Sequence, residues 1–74
     1  MITFTKVASV VGKVVLVRTN GPIQFEATIV GYRSHYSRDR WEVTPVSGQG
    51  TQYFESTSFD GPVAAEVRSL EVQS

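Results

Sequence analysis

Seventy-four residues, 41% of them apolar and 19% charged, suffice for one small domain that buries only about 60% of the surface its unfolded chain would expose. The absence of cysteine excludes disulfides, thiolate nucleophiles and Cys-ligated zinc or iron–sulfur centres, and one histidine would leave a metal to lean on carboxylates, so no metal or cofactor site is expected. Seven basic against seven acidic residues give zero net charge, which argues against a strongly basic, non-specific nucleic-acid binder.

The apolar residues are of the strand-forming kind. Twelve are valine and three isoleucine, against two leucines, and seven threonines raise the β-branched total; such side chains lose χ1 freedom in helices and pack well on a pleated surface. Six glycines and three prolines punctuate the chain into short strands. The longest apolar run, Val14-Val15-Leu16-Val17, is far shorter than the roughly 20 residues a membrane helix needs. Met1 to Lys6 does not set a basic head before an apolar stretch, so a cytoplasmic location with no membrane partner is expected.

In chain order, Ile2 to Val11 reads two ways. Ile2 and Phe4 alternate with threonines as in an edge strand, while Val7, Val10 and Val11 would share one face of a helical turn. Val14 to Thr19 is a strand, closed by a turn at Asn20-Gly21-Pro22. Ile23, Phe25, Ala27 and Ile29 alternate with polar residues through 23–33, the pattern of a half-buried antiparallel strand, and Gly31 falls where that pattern changes, as at a bulge or bend. Ser34 to Asp39 reads as a polar loop, Arg40 to Val46 as a third strand, Ser47 to Gly50 as a hairpin connection, Thr51 to Glu55 as a fourth strand and Ser56 to Gly61 as a turn.

The last stretch again has two readings. Pro62 opening a helix puts Val63, Val67 and Leu70 on one face at i, i+4 and i+7, whereas Val67 to Val72 suits a strand. A short helical turn followed by a closing strand is expected. The fold class is then all-β: a five-stranded SH3-like barrel spanning residues 1–74, with a short helical turn before its last strand, because closure removes the exposed edges of a small sheet. Leu16, Ile23, Phe25, Ile29, Trp41, Val43, Val67 and Leu70 are the core candidates.

Residues 14 to 33 resemble the SH3-like barrels and, more narrowly, the plasmid-encoded type II dihydrofolate reductases. Those chains carry a Val-Arg pair, a turn, an aromatic residue and then Ile-Val-Gly-Trp; here stand Val17-Arg18, Phe25 and Ile29-Val30-Gly31-Tyr32, with Pro62-Val63-Ala64-Ala65 like that family's helical turn before its last strand. The resemblance implies a homotetramer around a central pore where folate and NADPH meet. Its pore lysine is Thr19 here, and its Val-Gln-Ile-Tyr run corresponds to Thr51-Gln52-Tyr53-Phe54, where Gln52 matches and Phe54 takes the tyrosine position. Tyr53, one residue early, faces the other side of the strand.

Function-bearing residues concentrate between Tyr32 and Trp41, where Arg33, Arg38 and Arg40 stand among His35, Tyr32, Tyr36 and Trp41. Arginine forks match phosphate geometry and aromatic faces stack on bases; the competing reading is a solvated hairpin with Asp39 paired to a neighbouring arginine. Charge is also unevenly spread, at +4 over residues 1–40 and −4 over 41–74. Of Tyr53 and Phe54, one fills the core and the other must face outward, and with Val30 and Tyr32 it would form an exposed patch suited to self-association. No carboxylate pair or activated nucleophile stands out. The expected function is a non-enzymatic binding or assembly module, self-associating or protein-binding, with Tyr32, Arg33, His35, Tyr36, Arg38, Arg40, Trp41, Gln52 and Tyr53 as its binding surface. The alternatives are a nucleic-acid-binding accessory protein using residues 32–41 and an oligomeric enzyme like the type II reductases.

Overall fold

The computed structural model describes residues 4–19, 21, 23–36 and 38–72, and of His35 the backbone only. The chain runs α1 (Phe4–Ala8), β1 (Val14–Arg18), β2 (Gln24–His35), β3 (Arg38–Pro45), β4 (Gln52–Phe54), a 3₁₀ turn (Ser56–Ser58), β5 (Phe59–Asp60) and α2 (Pro62–Val72). All five strands join one antiparallel sheet in the order β4-β3-β2-β1-β5. The sheet curls into an open half-barrel, and the short helical turn precedes the last strand as expected.

Of the two readings at each end, the helical one holds. Val7 and Val10 are buried on and just after α1; the edge-strand alternative rested partly on Ile2, outside the described residues, as are Asn20 and Pro22 of the expected turn. Residues 67–72 form no closing strand. The i, i+4, i+7 apolar face continues through α2, burying Ala64 and Val67 and packing Val63 and Leu70 against the core. Gly61, at φ 93°, makes the left-handed step that separates α2 from β5. The fifth strand is instead Phe59–Asp60, which pair with Val17 and Leu16 at one edge of the sheet.

The expected polar loop at 34–39 is also strand. β2 runs to His35 and β3 starts at Arg38, paired from Arg33↔Arg40 to His35↔Arg38, with Tyr36 at φ 51° in the turn. These residues lie beyond the core, so cross-strand pairing rather than one-sided burial holds them extended.

The bulge anticipated at Gly31 is present. Ile29 faces Val43 and Gly31 faces Glu42, which leaves Val30 as the extra residue. Before it, Phe25, Ala27 and Ile29 point inward; after it, Tyr32 does, opposite Trp41. Tyr32 therefore leaves the strand on the opposite side from Val30, and the two meet only where both border the cleft beside α1.

Ile29, Trp41, Val43 and Val67 are fully buried, while Phe25 and Leu70 pack against the core from its margin. Leu16 is half-buried on the outer face, because Val15 and Val17 take the inward positions of β1. Ile23 precedes β2 and is 65% exposed. Phe59, absent from the sequence-derived core, is fully buried in β5. Polar anchors hold α2 on this core. Trp41 Nε1 donates to Glu71 Oε2 at 2.9 Å, Ser56 Oγ donates to Glu71 Oε1 at 2.6 Å, and Arg68 donates to the carbonyls of Ser56 and Phe59. Replacing Ile29 by alanine should cost about 2–5 kcal/mol, a large part of the total for a domain of this size. Ile23→Ala should stay within about 0.5 kcal/mol; urea denaturation of the two variants measures both.

Candidate functional site

Beyond the bulge, the β2–β3 hairpin turns its odd-numbered β2 positions outward. Arg33 stands directly opposite Arg40, and the backbone of His35 opposite Arg38. One register further in, Glu42 pairs with Gly31 on one side and Tyr53 on the other. Arg33 joins these residues: its Nε lies 3.7 Å from Glu42 Oε1, and its guanidinium carbon 5.7 Å from the centroid of the Tyr53 ring. Arg38 and Arg40 are exposed and have no ion pair among the described residues. The carboxylate expected to pair with one of them, Asp39, faces the other side and accepts a hydrogen bond from the Tyr32 hydroxyl. Like charges directly across a strand pair repel, so Arg33 and Arg40 raise the local energy of the hairpin.

The nine residues singled out in the sequence separate by face. Arg33, Arg38, Arg40 and Tyr53 share the outer side, with Tyr36 exposed at the hairpin tip. Trp41 is fully buried, tilted against Tyr32 at 5.0 Å between ring centroids, and cannot contribute a contact surface. Tyr32 is half-buried beside it. Gln52 pairs with Val43, so its position belongs to the core side of the sheet, at an exposed edge. Phe54 is half-buried edge-on to Phe25 at 6.0 Å, which leaves Tyr53, 46% exposed, as the outward aromatic of the pair. The His35 side chain lies outside the described part of the chain.

A second feature lies between α1 and the bulge. An open cleft of about 630 Å³ is lined by Phe4, Val11, Val30, Tyr32 and Glu42, among others. Phe4 is 87% exposed at its rim. Sequence reasoning singled out neither Phe4 nor Val11 as surface residues; the available signal was the spacing of Phe4, Ala8 and Val11 at i, i+4 and i+7.

Part of the charge asymmetry is neutralised by pairing across the fold. Lys13–Glu66 and Arg18–Asp60, both at 2.8 Å, and Arg33–Glu42 each join a basic residue of the first half to an acidic one of the second. Arg38 and Arg40 stand outside this pairing. Among the described residues no three His, Asp or Glu side chains gather as a metal site, and no helix is long and apolar enough to cross a membrane.

Fold and site together describe a small half-barrel consistent with an SH3-like fold, bearing an arginine–tyrosine face on one side and an apolar cleft at its bulge. No protein-family model, curated protein or solved structure matches the chain. Because Arg40 faces Arg33, Arg40→Gln should raise stability by about 0.2–1 kcal/mol at low salt, and the gain should shrink as salt screens the repulsion; thermal melts at two ionic strengths measure it.

Proposed function

We propose that the chain is a non-enzymatic binding module that engages an anionic partner through the outer face of β2–β3–β4. One observation carries this reading: Arg38 and Arg40 project from the β2–β3 hairpin without a carboxylate partner among the described residues, beside an Arg33 that already faces Arg40. Guanidinium forks grip phosphate and carboxylate groups through paired, charge-assisted hydrogen bonds. An anion laid across the hairpin would offset the repulsion that the free protein carries. Titration calorimetry with inorganic polyphosphate in 50 mM salt tests it. Binding should fall at least tenfold in the Arg38→Ala/Arg40→Ala double variant, since a hydrogen bond to a charged group contributes about 1.5–3 kcal/mol. It should be unchanged in Lys13→Ala, whose lysine is engaged by Glu66. Equal binding by the wild type and the double variant would count against the reading.

A second reading, self-association into a homo-oligomer, is supported by the cleft beside α1, where Phe4, Val11 and Val30 are exposed together. Clustered apolar exposure of this kind marks interaction surfaces. Light scattering behind a sizing column should return a multiple of the chain mass at tens of micromolar and a single-chain mass for Phe4→Glu. The reductase-like reading has the least support, because Thr19 occupies the lysine position and Phe54 is engaged with Phe25.

A further inference from the structure

We infer that the anion taken by the outer face is single-stranded nucleic acid, its phosphates held by the hairpin arginines and an unpaired base stacked at Tyr53; this rests on the anionic-partner reading above.

Spacing is the first argument. Arg38 and Arg40 lie two residues apart on one face of β3, roughly 6.5–7 Å along the strand, comparable to the interval between successive phosphates of an extended strand of nucleotides. Arg33, across from Arg40, widens this row into a short track with three guanidiniums. Arg33 is already close to Glu42, so that carboxylate is partly neutralised where the track meets β4.

The second argument is the aromatic residue at the end of the track. Tyr53 lies opposite Glu42, which makes it the diagonal neighbour of Arg40. The Arg33 guanidinium lies over one face of its ring, and the residue is 46% exposed. A base can therefore stack on a tyrosine that a cation already borders, the combination that sequence-tolerant single-strand binding uses. Tyr36, 88% exposed at the hairpin tip, places a further ring beyond Arg38.

These rings also decide between forms of nucleic acid. In a duplex the bases are stacked on one another and their faces are withdrawn, whereas a single strand splays them. α2, the longer helix, is fixed to the core through Glu71 and Arg68 and does not project as a groove-reading element. An acidic peptide would satisfy the arginines and leave Tyr53 unused. With about three phosphates contacted, the affinity should be moderate and strongly salt-dependent, in keeping with a chain of zero net charge.

The test uses fluorescence anisotropy with labelled 20-nucleotide oligothymidylate and oligouridylate, competed by a duplex of equal length, polyphosphate and polyglutamate. The expected result is that at least one single strand binds about tenfold or more tightly than any competitor. The log–log salt slope should be near −2 for three phosphates and near −0.7 once Arg38 and Arg40 are both alanine. Tyr53→Ala should weaken binding about tenfold while Tyr53→Phe retains it, because the ring and not the hydroxyl does the stacking; circular dichroism verifies that each variant is folded. If every polyanion binds alike and Tyr53→Ala is silent, the inference falls and the anionic reading stands. Preferred binding of polyglutamate overturns it in favour of an acidic protein. If no polyanion binds at tens of micromolar in 50 mM salt, both readings fail together.

Discussion

An extra residue in an antiparallel strand reverses the side on which every later side chain emerges, and in this chain that residue is Val30. Twelve residues of β2 thereby serve two purposes. Phe25, Ala27 and Ile29 supply the core while the parity is odd-inward; after the bulge Tyr32 turns in against Trp41, and Arg33 turns out toward Arg40 and Tyr53. Without the shift, Arg33 would point at the buried indole and Tyr32 would stand in solvent. The same event exposes Val30 beside α1 and shapes the cleft there. Both surfaces with a candidate role thus follow from one backbone irregularity.

The opposite side of the molecule is organised by Trp41. A buried indole must place its N–H, and here it does so on Glu71 of α2, whose other oxygen takes the Ser56 hydroxyl from the 3₁₀ turn. Arg68, one turn earlier, satisfies the carbonyls of Ser56 and Phe59. A polar seam therefore ties helix, turn and last strand to the middle of β3. Among the described residues no buried side-chain nitrogen or oxygen is left without a partner, as a small core with little energy in reserve requires.

Much of this was legible in the residues, unevenly and for physical reasons. The alternation over 25–29, the change of phase at Gly31 and the outward turn of one of Tyr53 and Phe54 follow from the period-two geometry of a half-buried sheet. The hairpin tip has the sequence of a loop because burial-based patterning ends where the core ends, while backbone pairing carries on to Arg38. The last strand is expected at 67–72 and forms at 59–60, since nothing local distinguishes two paired residues, Phe59 and Asp60, from a turn; their partners are Val17 and Leu16, more than forty positions away. In the candidate site, the residue types drew attention to 32–41, but their division between faces needed the register. Trp41 and Tyr32 go to the core, and Asp39, adjacent in sequence to both Arg38 and Arg40, goes to Tyr32.

Among the described residues, each of the three ion pairs joins the positive first half of the chain to the negative second half. Before folding, the same segregation makes the polypeptide a diblock polyampholyte, whose oppositely charged blocks attract wherever they come within a Debye length of about 8–10 Å. The denatured ensemble is thereby contracted before any strand pairs. Added salt then acts on both sides of the equilibrium, loosening the folded bridges and swelling the unfolded coil, so the net ionic-strength dependence of stability is smaller than three surface bridges alone imply.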